Sequence, residues 1–437
     1  MNFLFAIFTH IVNMKKSVIS VIVLAAVSKL LLPHLFAYYE TKQQQLNVTA
    51  DKPTAKSYYP ELKFAISLLA LLQKNEPNES IFYSPHSVYT TLLMAYFGAG
   101  GETEIELKQL LLSTETSKAD AEYAYQLKKE QQLNRFQNQS VEFTSVEKLY
   151  VRTGVRVRDS IKTLLKDSIE QLDFADDLEQ SIKLINQFIT KTTKNNIKDF
   201  LQPNSLSKQT MLVMINAVYF KGQWANVFDK GQTDRRIFYK QDGEEVYVDM
   251  MHQYAHFKYG FIENLNTQVL KMPYEDENES LSMFIFLPDA SSTAIDVLLD
   301  KLSPEILDNV FSGHRSVYRP TYINEEIFVS LPKFSFESRI DLSSIMERHI
   351  GVHNLFQNSN FSGIFESTEP KFESKLAHMA KIKINEVGTV AEAGTYLSTW
   401  IASDCRSFDC NHPFLFVIYD QKCSEMLFAG IYHGPNV

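Results

Sequence analysis

Side chains that could carry catalysis occur in this chain without the spacings that enzymes use. The sequence has no His-Glu-x-x-His, no Cys-x-x-Cys and no Gly-x-Ser-x-Gly segment, and its 11 histidines are scattered. Gly98, Gly100 and Gly101 resemble a phosphate-binding loop, but no Lys-Ser or Lys-Thr pair follows them. We expect them to end a helix, where glycine tolerates a left-handed backbone. The sequence therefore predicts no catalytic residue, no metal ion and no cofactor.

The three cysteines, Cys405, Cys410 and Cys423, all lie near the C-terminus. Cys405 and Cys410 could close a small ring if oxidised, or remain free thiols. An odd number of cysteines does not suggest a disulfide framework.

The composition is that of a folded protein, since 45% of the 437 residues are hydrophobic and 22% are charged. The formal net charge of −9 argues against nucleic acid as a partner, because proteins that bind it carry clustered basic surface. Arg152, Arg156 and Arg158 form the densest basic group, and their even spacing predicts one face of a strand. We interpret that face as solvated, so a glycosaminoglycan is not an expected partner.

The first 37 residues have the pattern of a secretory signal. Lys15 and Lys16 precede an apolar stretch, and Ala37 supplies a small residue for cleavage. Met14 is an alternative start. A membrane anchor is the weaker alternative, because Lys29 leaves the apolar stretch shorter than the ~20 residues that a bilayer requires. We therefore expect a secreted, extracellular protein.

Asn-x-Ser/Thr triplets agree with secretion, because asparagine is glycosylated in such triplets on secreted proteins. The acceptors are Asn47, Asn78, Asn138, Asn278 and Asn360. Triplets of this kind also arise by chance, so they corroborate the signal without replacing it.

The order of elements indicates a mixed α+β fold. After a signal peptide at 1–37 and a flexible segment at 38–58, residues 59–437 contain no linker or repeat and are expected to form a single domain. Helical spacing of apolar residues predicts helices at 59–74, 85–96, 104–112, 160–168 and 178–189. Apolar and alternating runs predict strands at 141–151, 211–220, 246–250, 268–272, 281–287, 328–332 and 380–385, and a hairpin of 414–418 with 426–432. Helices first and strands later are typical of α+β proteins.

Several segments, in order along the chain, resemble the signatures of the serpin family. The longest is Asn-Ala-Val-Tyr-Phe-Lys-Gly-Gln-Trp at 216–224, which is similar to the central-strand signature. The others are Ser-Ile-Phe-Tyr-Ser-Pro-His-Ser at 80–87, Gly-Ala-Gly-Gly-Glu-Thr at 98–103, Leu-Pro-Lys-Phe at 331–334, Asn-Phe-Ser-Gly at 360–363, Asn-Glu-Val-Gly-Thr at 385–389 and His-Pro-Phe-Leu-Phe at 412–416. The matches are spread over 78–435, so the sequence is identified as a serpin of an insect or other invertebrate kind.

The resemblance implies three β-sheets, about nine helices and an exposed reactive-centre loop within 386–413. It implies a monomer that inhibits a target serine protease as a suicide substrate. The protease cleaves the loop and forms an acyl-enzyme, and the freed loop then inserts into sheet A and distorts the attached protease before the ester is hydrolysed. A serpin needs no catalytic residue of its own for this reaction.

The hinge of the loop follows from the same resemblance. It comprises Glu386, Gly388, Thr389, Val390, Ala391, Glu392, Ala393, Gly394 and Thr395. Alternate residues of an inserted strand face inward, and the inward set is small or apolar, as insertion requires: Thr389, Ala391, Ala393, Thr395 and Leu397. Glu392 departs from the small residues that are usual in the family, but its parity turns it outward.

Supporting residues are carried over by the resemblance as well. Ser84, Ser87, Asn216 and His378 match the polar cluster beneath the opening of sheet A. Trp224 matches the aromatic residue where the loop enters. A buried polar cluster must be satisfied by mutual hydrogen bonds, so it either gates the opening or only stabilises the sheet.

The bond to be cleaved has two candidates. Counting 16 residues from Glu386, as in well-behaved serpins, gives Ala402 before the cut and Ser403 after it. Ala402 suits an elastase-like protease with a small apolar pocket. Arg406-Ser407 is the trypsin-like alternative and lies four residues late. A non-inhibitory serpin that acts as a ligand carrier, storage protein or chaperone is the alternative function.

Overall fold

The computed structural model of the chain describes residues 59–133, 135, 140–276, 280–312, 323–366, 373–388 and 406–435. All of them belong to one compact unit, Tyr58–Val437. The predicted signal peptide, the flexible segment and the loop residues 389–405 lie outside the described residues. These include the hinge from Thr389 to Thr395, the Ala402-Ser403 bond and Cys405.

The described residues form ten α-helices, and each predicted helix is among them. In chain order the helices are α1 Tyr59–Asn75, α2 Pro85–Gly98, α3 Gly101–Leu111, α4 Lys118–Leu133, α5 Asp159–Leu165, α6 Leu178–Thr192, α7 Ala294–Lys301, α8 Pro304–Ser312, α9 Leu342–His349 and α10 His353–Phe356. The start of α2 shows why the sequence folds there. Ser84 is the N-cap, its side chain accepts from the Ser87 N–H (3.3 Å), and Pro85 occupies the first helical position.

Fourteen strands occur among the same residues. They are β1 Ile81–Tyr83, β2 Val141–Arg152, β3 Ile169–Leu172, β4 Thr210–Gly222, β5 Asp234–Tyr239, β6 Glu245–Ile262, β7 Thr267–Pro273, β8 Leu281–Pro288, β9 Ile323–Pro332, β10 Phe334–Asp341, β11 Glu373–Ile384, β12 Arg406–Asp409, β13 Phe414–Asp420 and β14 Glu425–Tyr432. The predicted closing hairpin is confirmed, because β13 and β14 pair antiparallel from Phe414 opposite Tyr432 onward.

The described strands form two hydrogen-bonded sheets, although the resemblance implied three. The larger has nine strands in the order β1-β14-β13-β8-β7-β6-β9-β12, with β5 also paired to β6. The 18-residue β6 explains the merger. It pairs with β5 near its start, with β9 along its middle and with β7 at its end, so two of the expected sheets share one continuous strand.

The smaller sheet has five strands in the order β10-β11-β4-β2-β3. Its centre is β4, in which every residue except Lys221 is buried, as the continuous apolar run predicted. Helices cover both faces. Val88 and Leu92 of α2 share a core with Met214 on one face, and Ile185 of α6 packs with Ile215 on the other.

One sequence prediction about local structure was wrong, and a second was right only in part. Arg152, Arg156 and Arg158 do not share a strand face, because β2 ends at Arg152 and a turn with Gly154 at φ +86° follows. Arg156 then pairs with Glu366 and Arg158 donates to the Ser362 carbonyl oxygen. Helix α2 ends at Gly98, as predicted, but the residue after it, Ala99, is extended, and the glycine with a left-handed backbone is Gly101 (φ +55°), at the start of α3.

Candidate functional site

A tight turn at 385–388 follows β11, at the start of the predicted loop hinge. The Asn385 N–H donates to the Gly388 carbonyl oxygen (2.9 Å), and the Gly388 N–H donates to that of Asn385 (3.1 Å). These two bonds define a two-residue hairpin connection. Gly388 has φ +132°, and a Cβ on it would collide with the Gly222 oxygen and the Trp224 nitrogen. Glycine is therefore required at this position.

Gly388 contacts two strands at once. It forms an antiparallel bridge with Asn385 at the end of β11 and another with Gln223 at the end of β4. These two strands are neighbours in the five-stranded sheet. Gly388 thus lies between their ends as the first rung of a strand that would be antiparallel to both.

The seam between β4 and β11 is the parallel contact in the middle of this sheet. Leu376 lies opposite Met214 and Lys381 opposite Tyr219, while β10 with β11 and β4 with β2 are antiparallel pairs. A strand that entered from Gly388 would replace one parallel ladder with two antiparallel ladders. Antiparallel pairing is slightly more stable per residue, so this exchange would be favourable in strand pairing.

Glu386 fixes the turn to the larger sheet. The residue is 4% exposed, and its carboxylate accepts from Lys333 Nζ (2.9 Å) and Thr233 Oγ1 (3.1 Å). Its carbonyl oxygen accepts from the Phe228 N–H (2.8 Å). Burial raises the pKa of Glu386, and the hydrogen bonds from Lys333 and Thr233 outweigh it, so the pKa lies below its usual 4.5. The carboxylate is charged at neutral pH.

Trp224 holds the same turn from the end of β4. Its ring is buried and stacked on Tyr274, with centroids 4.5 Å apart. Its indole Nε1–H donates to the Asn385 carbonyl oxygen (3.1 Å), and its backbone N–H donates to that of Val387 (2.9 Å). The tryptophan assigned to the loop entrance by resemblance therefore contacts the 385–388 turn directly.

The polar cluster crosses the seam. His378 of β11 lies opposite Asn216 of β4, and His378 Nδ1 and Asn216 Oδ1 are 2.5 Å apart. The Ser84 N–H donates to His378 Nε2 (3.2 Å), so that nitrogen carries no proton and Nδ1–H donates to Asn216. Burial lowers the pKa of His378 from 6.5 to about 3, which keeps the ring neutral.

The cluster continues through the helix to the next strand. Asn216 Nδ2 donates to Ser87 Oγ (2.6 Å) and to Thr91 Oγ1 (3.0 Å), both on α2. Ser87 Oγ in turn donates to Glu147 Oε1 of β2 (2.6 Å), and Ser145 contacts the same carboxylate oxygen. The structure therefore brings Ser84, Ser87, Asn216 and His378 together, as predicted.

Sequence reasoning missed five members of the site: Thr91, Ser145, Glu147, Thr233 and Lys333. Some were detectable. Thr91 lies one helical turn after Ser87, and Ser145 and Glu147 alternate on one face of a predicted strand. The contact of Lys333 with Glu386 joins residues 53 apart in the chain, so no local pattern predicts it.

The Arg406-Ser407 bond lies in a strand. Arg406 pairs with Ile327 and Ser407 with Phe328 in the parallel ladder of β12 with β9, and the Arg406 guanidinium lies 5.1 Å from the Tyr259 ring centroid. Cys410 is a buried free thiol. Burial raises its pKa well above the usual range.

The glycosylation candidates divide into two groups. Asn78 and Asn360 are exposed, and Asn360 Oδ1 accepts from the Ser362 N–H (3.0 Å). Asn47, Asn138 and Asn278 lie outside the described residues.

One Ser-His-Asp arrangement has no catalytic geometry. His252 Nδ1 lies 3.1 Å from Ser330 Oγ and His252 Nε2 lies 3.0 Å from Asp234 Oδ1. Ser330 is 4% exposed and lies in a strand ladder, so a substrate carbonyl cannot approach its hydroxyl. Within the described ranges no group of three histidine, cysteine or carboxylate side chains is arranged so that it could hold a metal ion, and no helix has the length and apolarity to span a bilayer.

The comparisons with known proteins agree with this geometry. The family model described as "Serpin (serine protease inhibitor)" matches residues 61–435. The chain therefore belongs to the serpin family, and its fold is the mixed α+β serpin fold. Proteins of this family are in general protease inhibitors rather than enzymes, although some members are non-inhibitory.

Individual relatives cover nearly the whole domain. Serine protease inhibitor 88Ea of Drosophila melanogaster is 35% identical over 398 residues, which are 87% of this chain and 91% of that protein. The human leukocyte elastase inhibitor is 31% identical over 397 residues, 85% and 98% of the two chains. A solved complex of thyroxine-binding globulin with thyroxine superposes with a TM-score of 0.74 at 24% identity, covering 87% of this chain and 99% of that one, and shows the fold alone.

Proposed function

We propose that this serpin inhibits serine-type endopeptidases as a suicide substrate, by inserting its cleaved loop between β4 and β11. The observation that carries the proposal is the double bridge of Gly388, to Asn385 and to Gln223. At Gly388 the chain is already paired with the ends of β11 and β4, the two strands that an inserted strand would join.

The register of these bridges extends into the loop. In an antiparallel strand each step forward from Gly388 meets one step back in β11 and in β4, so Ala391 would meet Ile382 and Phe220. Both partners are fully buried. The other inward positions of the loop, Thr389, Ala393, Thr395 and Leu397, would meet buried partners in the same way. Small or apolar side chains at these positions are suited to the interior of the sheet.

Two loop residues have chemically matched partners in this register. Thr395 would lie between His378 and Asn216, where its hydroxyl can donate and accept in place of their mutual hydrogen bond. Glu392 would lie beside Lys381, which now pairs with Glu337 at 3.2 Å. A glutamate beside a lysine on the outer face is compatible with insertion, so the departure of Glu392 from small residues does not argue against inhibition.

The geometry favours Ala402-Ser403 as the bait bond. A protease binds its substrate as an extended segment with free main-chain groups, whereas Arg406-Ser407 is held in the ladder with β9. An alanine before the cut suits an elastase-like target, and a trypsin-like target remains the alternative. We further propose secretion, with glycans on the exposed Asn78 and Asn360.

The test is to incubate the purified chain with an elastase-like and a trypsin-like protease. We expect a complex that survives denaturing electrophoresis and a released C-terminal peptide that begins at Ser403. A peptide that begins at Ser407 would move the bond to Arg406. Cleavage without a covalent complex by every serine protease tried would contradict inhibition and favour a non-inhibitory carrier, storage protein or chaperone.

A further inference from the structure

A cluster of ionisable side chains lies beneath α4, away from the hinge. Glu61 of α1, His86 of α2 and Glu425 of β14 are 5%, 3% and 2% exposed, and Lys128 of α4 reaches them from the surface. Two carboxylates buried side by side repel each other and lose hydration, so they require cations beside them.

The two carboxylates bracket two cationic positions. Lys128 Nζ lies 2.6 Å from Glu61 Oε2 and 3.7 Å from Glu425 Oε1. His86 Nδ1 lies 3.1 Å from Glu61 Oε1 and 3.7 Å from Glu425 Oε2. With His86 neutral the four groups carry one net negative charge, and protonation of His86 makes them neutral. A single proton on His86 therefore neutralises the net charge of the cluster.

Gln132 of α4 contacts the other side of His86. Its Nε2 lies 2.5 Å from His86 Nε2 and 3.1 Å from Glu425 Oε2. An amide N–H donates to a ring nitrogen without a proton, so in this arrangement His86 Nδ1–H donates to Glu61. Protonation at Nε2 turns that nitrogen into a donor, and the Gln132 amide must then present its oxygen. The protonation state of His86 therefore determines which group of the Gln132 side chain on α4 can contact it.

The attachment of α4 depends on such polar contacts. Ala121 and Tyr125 are the buried hydrophobic residues among its described side chains. Lys118 Nζ donates to the Ala99 carbonyl oxygen (3.0 Å) and Lys129 Nζ donates to Ser168 Oγ (2.8 Å). Because little apolar area fastens the helix, a change of charge beneath it has a large relative effect on its docking.

We propose that Glu61, His86, Lys128 and Glu425 form a proton-controlled clamp that fastens α4 when His86 is protonated and loosens it when His86 is neutral. Burial lowers the pKa of His86, but Glu425 and Glu61 outweigh burial and Lys128, so the pKa is raised above 6.5. The stabilisation is therefore complete below pH 6.5 and is lost as the pH rises through the raised pKa. His86 also precedes Ser87, so the clamp adjoins the polar cluster of the seam.

The test is amide hydrogen exchange of α4 in the intact chain at pH 6 and pH 8.5, corrected for intrinsic exchange. We expect protection of α4 to fall several-fold at the higher pH in the wild type and to be independent of pH in His86→Gln. His256→Gln, at an exposed histidine, should behave as the wild type. If protection of α4 in the wild type does not change with pH, or His86→Gln keeps the wild-type change, the clamp does not exist.

A second measurement covers the case in which His86→Gln does not fold. The ring of His86 should titrate by NMR with a midpoint above 6.5, and Glu425→Gln should move that midpoint down. A midpoint at or below 6.5 in the wild type, or one that Glu425→Gln leaves in place, overturns the proposal.

Discussion

Gly388 and His378 are the two residues on which the proposed opening of the five-stranded sheet depends most directly. Gly388 would start the added strand, and His378 joins the two strands that would have to separate. Gly388 is constrained by its backbone conformation and His378 by its protonation state, so the two residues can be tested independently.

Gly388→Ala should destabilise the closed hinge. The methyl group would meet backbone atoms of Gly222 and Trp224, and φ +132° is unfavourable for alanine, so we expect a loss of about 2 kcal/mol or more in the free energy of unfolding. Gly243→Ala is the matched control, since Gly243 also has a positive φ but no atom within 4 Å of an added Cβ. Equal losses in a denaturant titration would show that contacts at the hinge do not matter.

The neutrality of His378 predicts a pH dependence of stability. Its pKa of about 3 lies below the value of about 6.5 in the unfolded chain, so stability is lost as the pH falls below 6.5. By pH 5 the loss from this residue is about 2 kcal/mol. In denaturant titrations at pH 7 and pH 5, His378→Gln should lose less stability than the wild type over this interval. An unchanged loss would mean that folding does not lower the pKa of His378.

At the scale of elements, the turn after β11 ties both sheets together through Glu386. Its carboxylate bonds Lys333, which lies between β9 and β10, while its backbone bonds Phe228 after β4. The turn is thus positioned by side chains from distant parts of the chain.

Reversing the charge at this turn should release it. Glu386→Lys leaves two lysines facing each other and removes charge-assisted hydrogen bonds, so we expect about 2 kcal/mol of destabilisation in a denaturant titration. The double variant Glu386→Lys with Lys333→Glu restores opposite charges and should recover part of the loss. No recovery in the double variant would contradict a direct ion pair.

The register of insertion predicts a second charge pair. Glu392→Lys places a lysine beside Lys381 in the inserted state, so more molecules should be cleaved without forming a complex, and the stoichiometry of inhibition should rise. Adding Lys381→Glu should lower it again. If Glu392→Lys inhibits as efficiently as the wild type, the register is incorrect.

Patterns within one element and the pairing of the adjacent strands β13 and β14 could be predicted from the sequence, whereas pairings between elements distant in the chain could not. The apolar run of β4 and the Ser-Pro start of α2 have local causes, and both were predicted. β6 was predicted as 246–250 but spans Glu245–Ile262, because its exposure alternates irregularly where its partners change. β12 escaped prediction because four residues give too short a pattern. The Glu386–Lys333 pair and the parallel register of β4 and β11 depend on the tertiary fold.

At the scale of the whole molecule, the five-stranded sheet has the arrangement that the proposed insertion requires. Its central seam is parallel, its hinge residue already pairs with both flanking strands, and a polar cluster bridges that seam. In the proposed mechanism the loop that follows Gly388 would supply a further strand to this sheet, and cleavage of the loop would free it to insert.

The most direct measurement of this account compares thermal unfolding before and after the loop is cut at Ala402-Ser403. Insertion adds two antiparallel ladders, so the midpoint should rise by about 10 °C or more, at about 2 °C for each kcal/mol gained. Thr389→Arg, which would bury a charge, should abolish the rise in the cleaved chain. A cleaved wild-type chain that unfolds at the same temperature as the intact chain would contradict insertion.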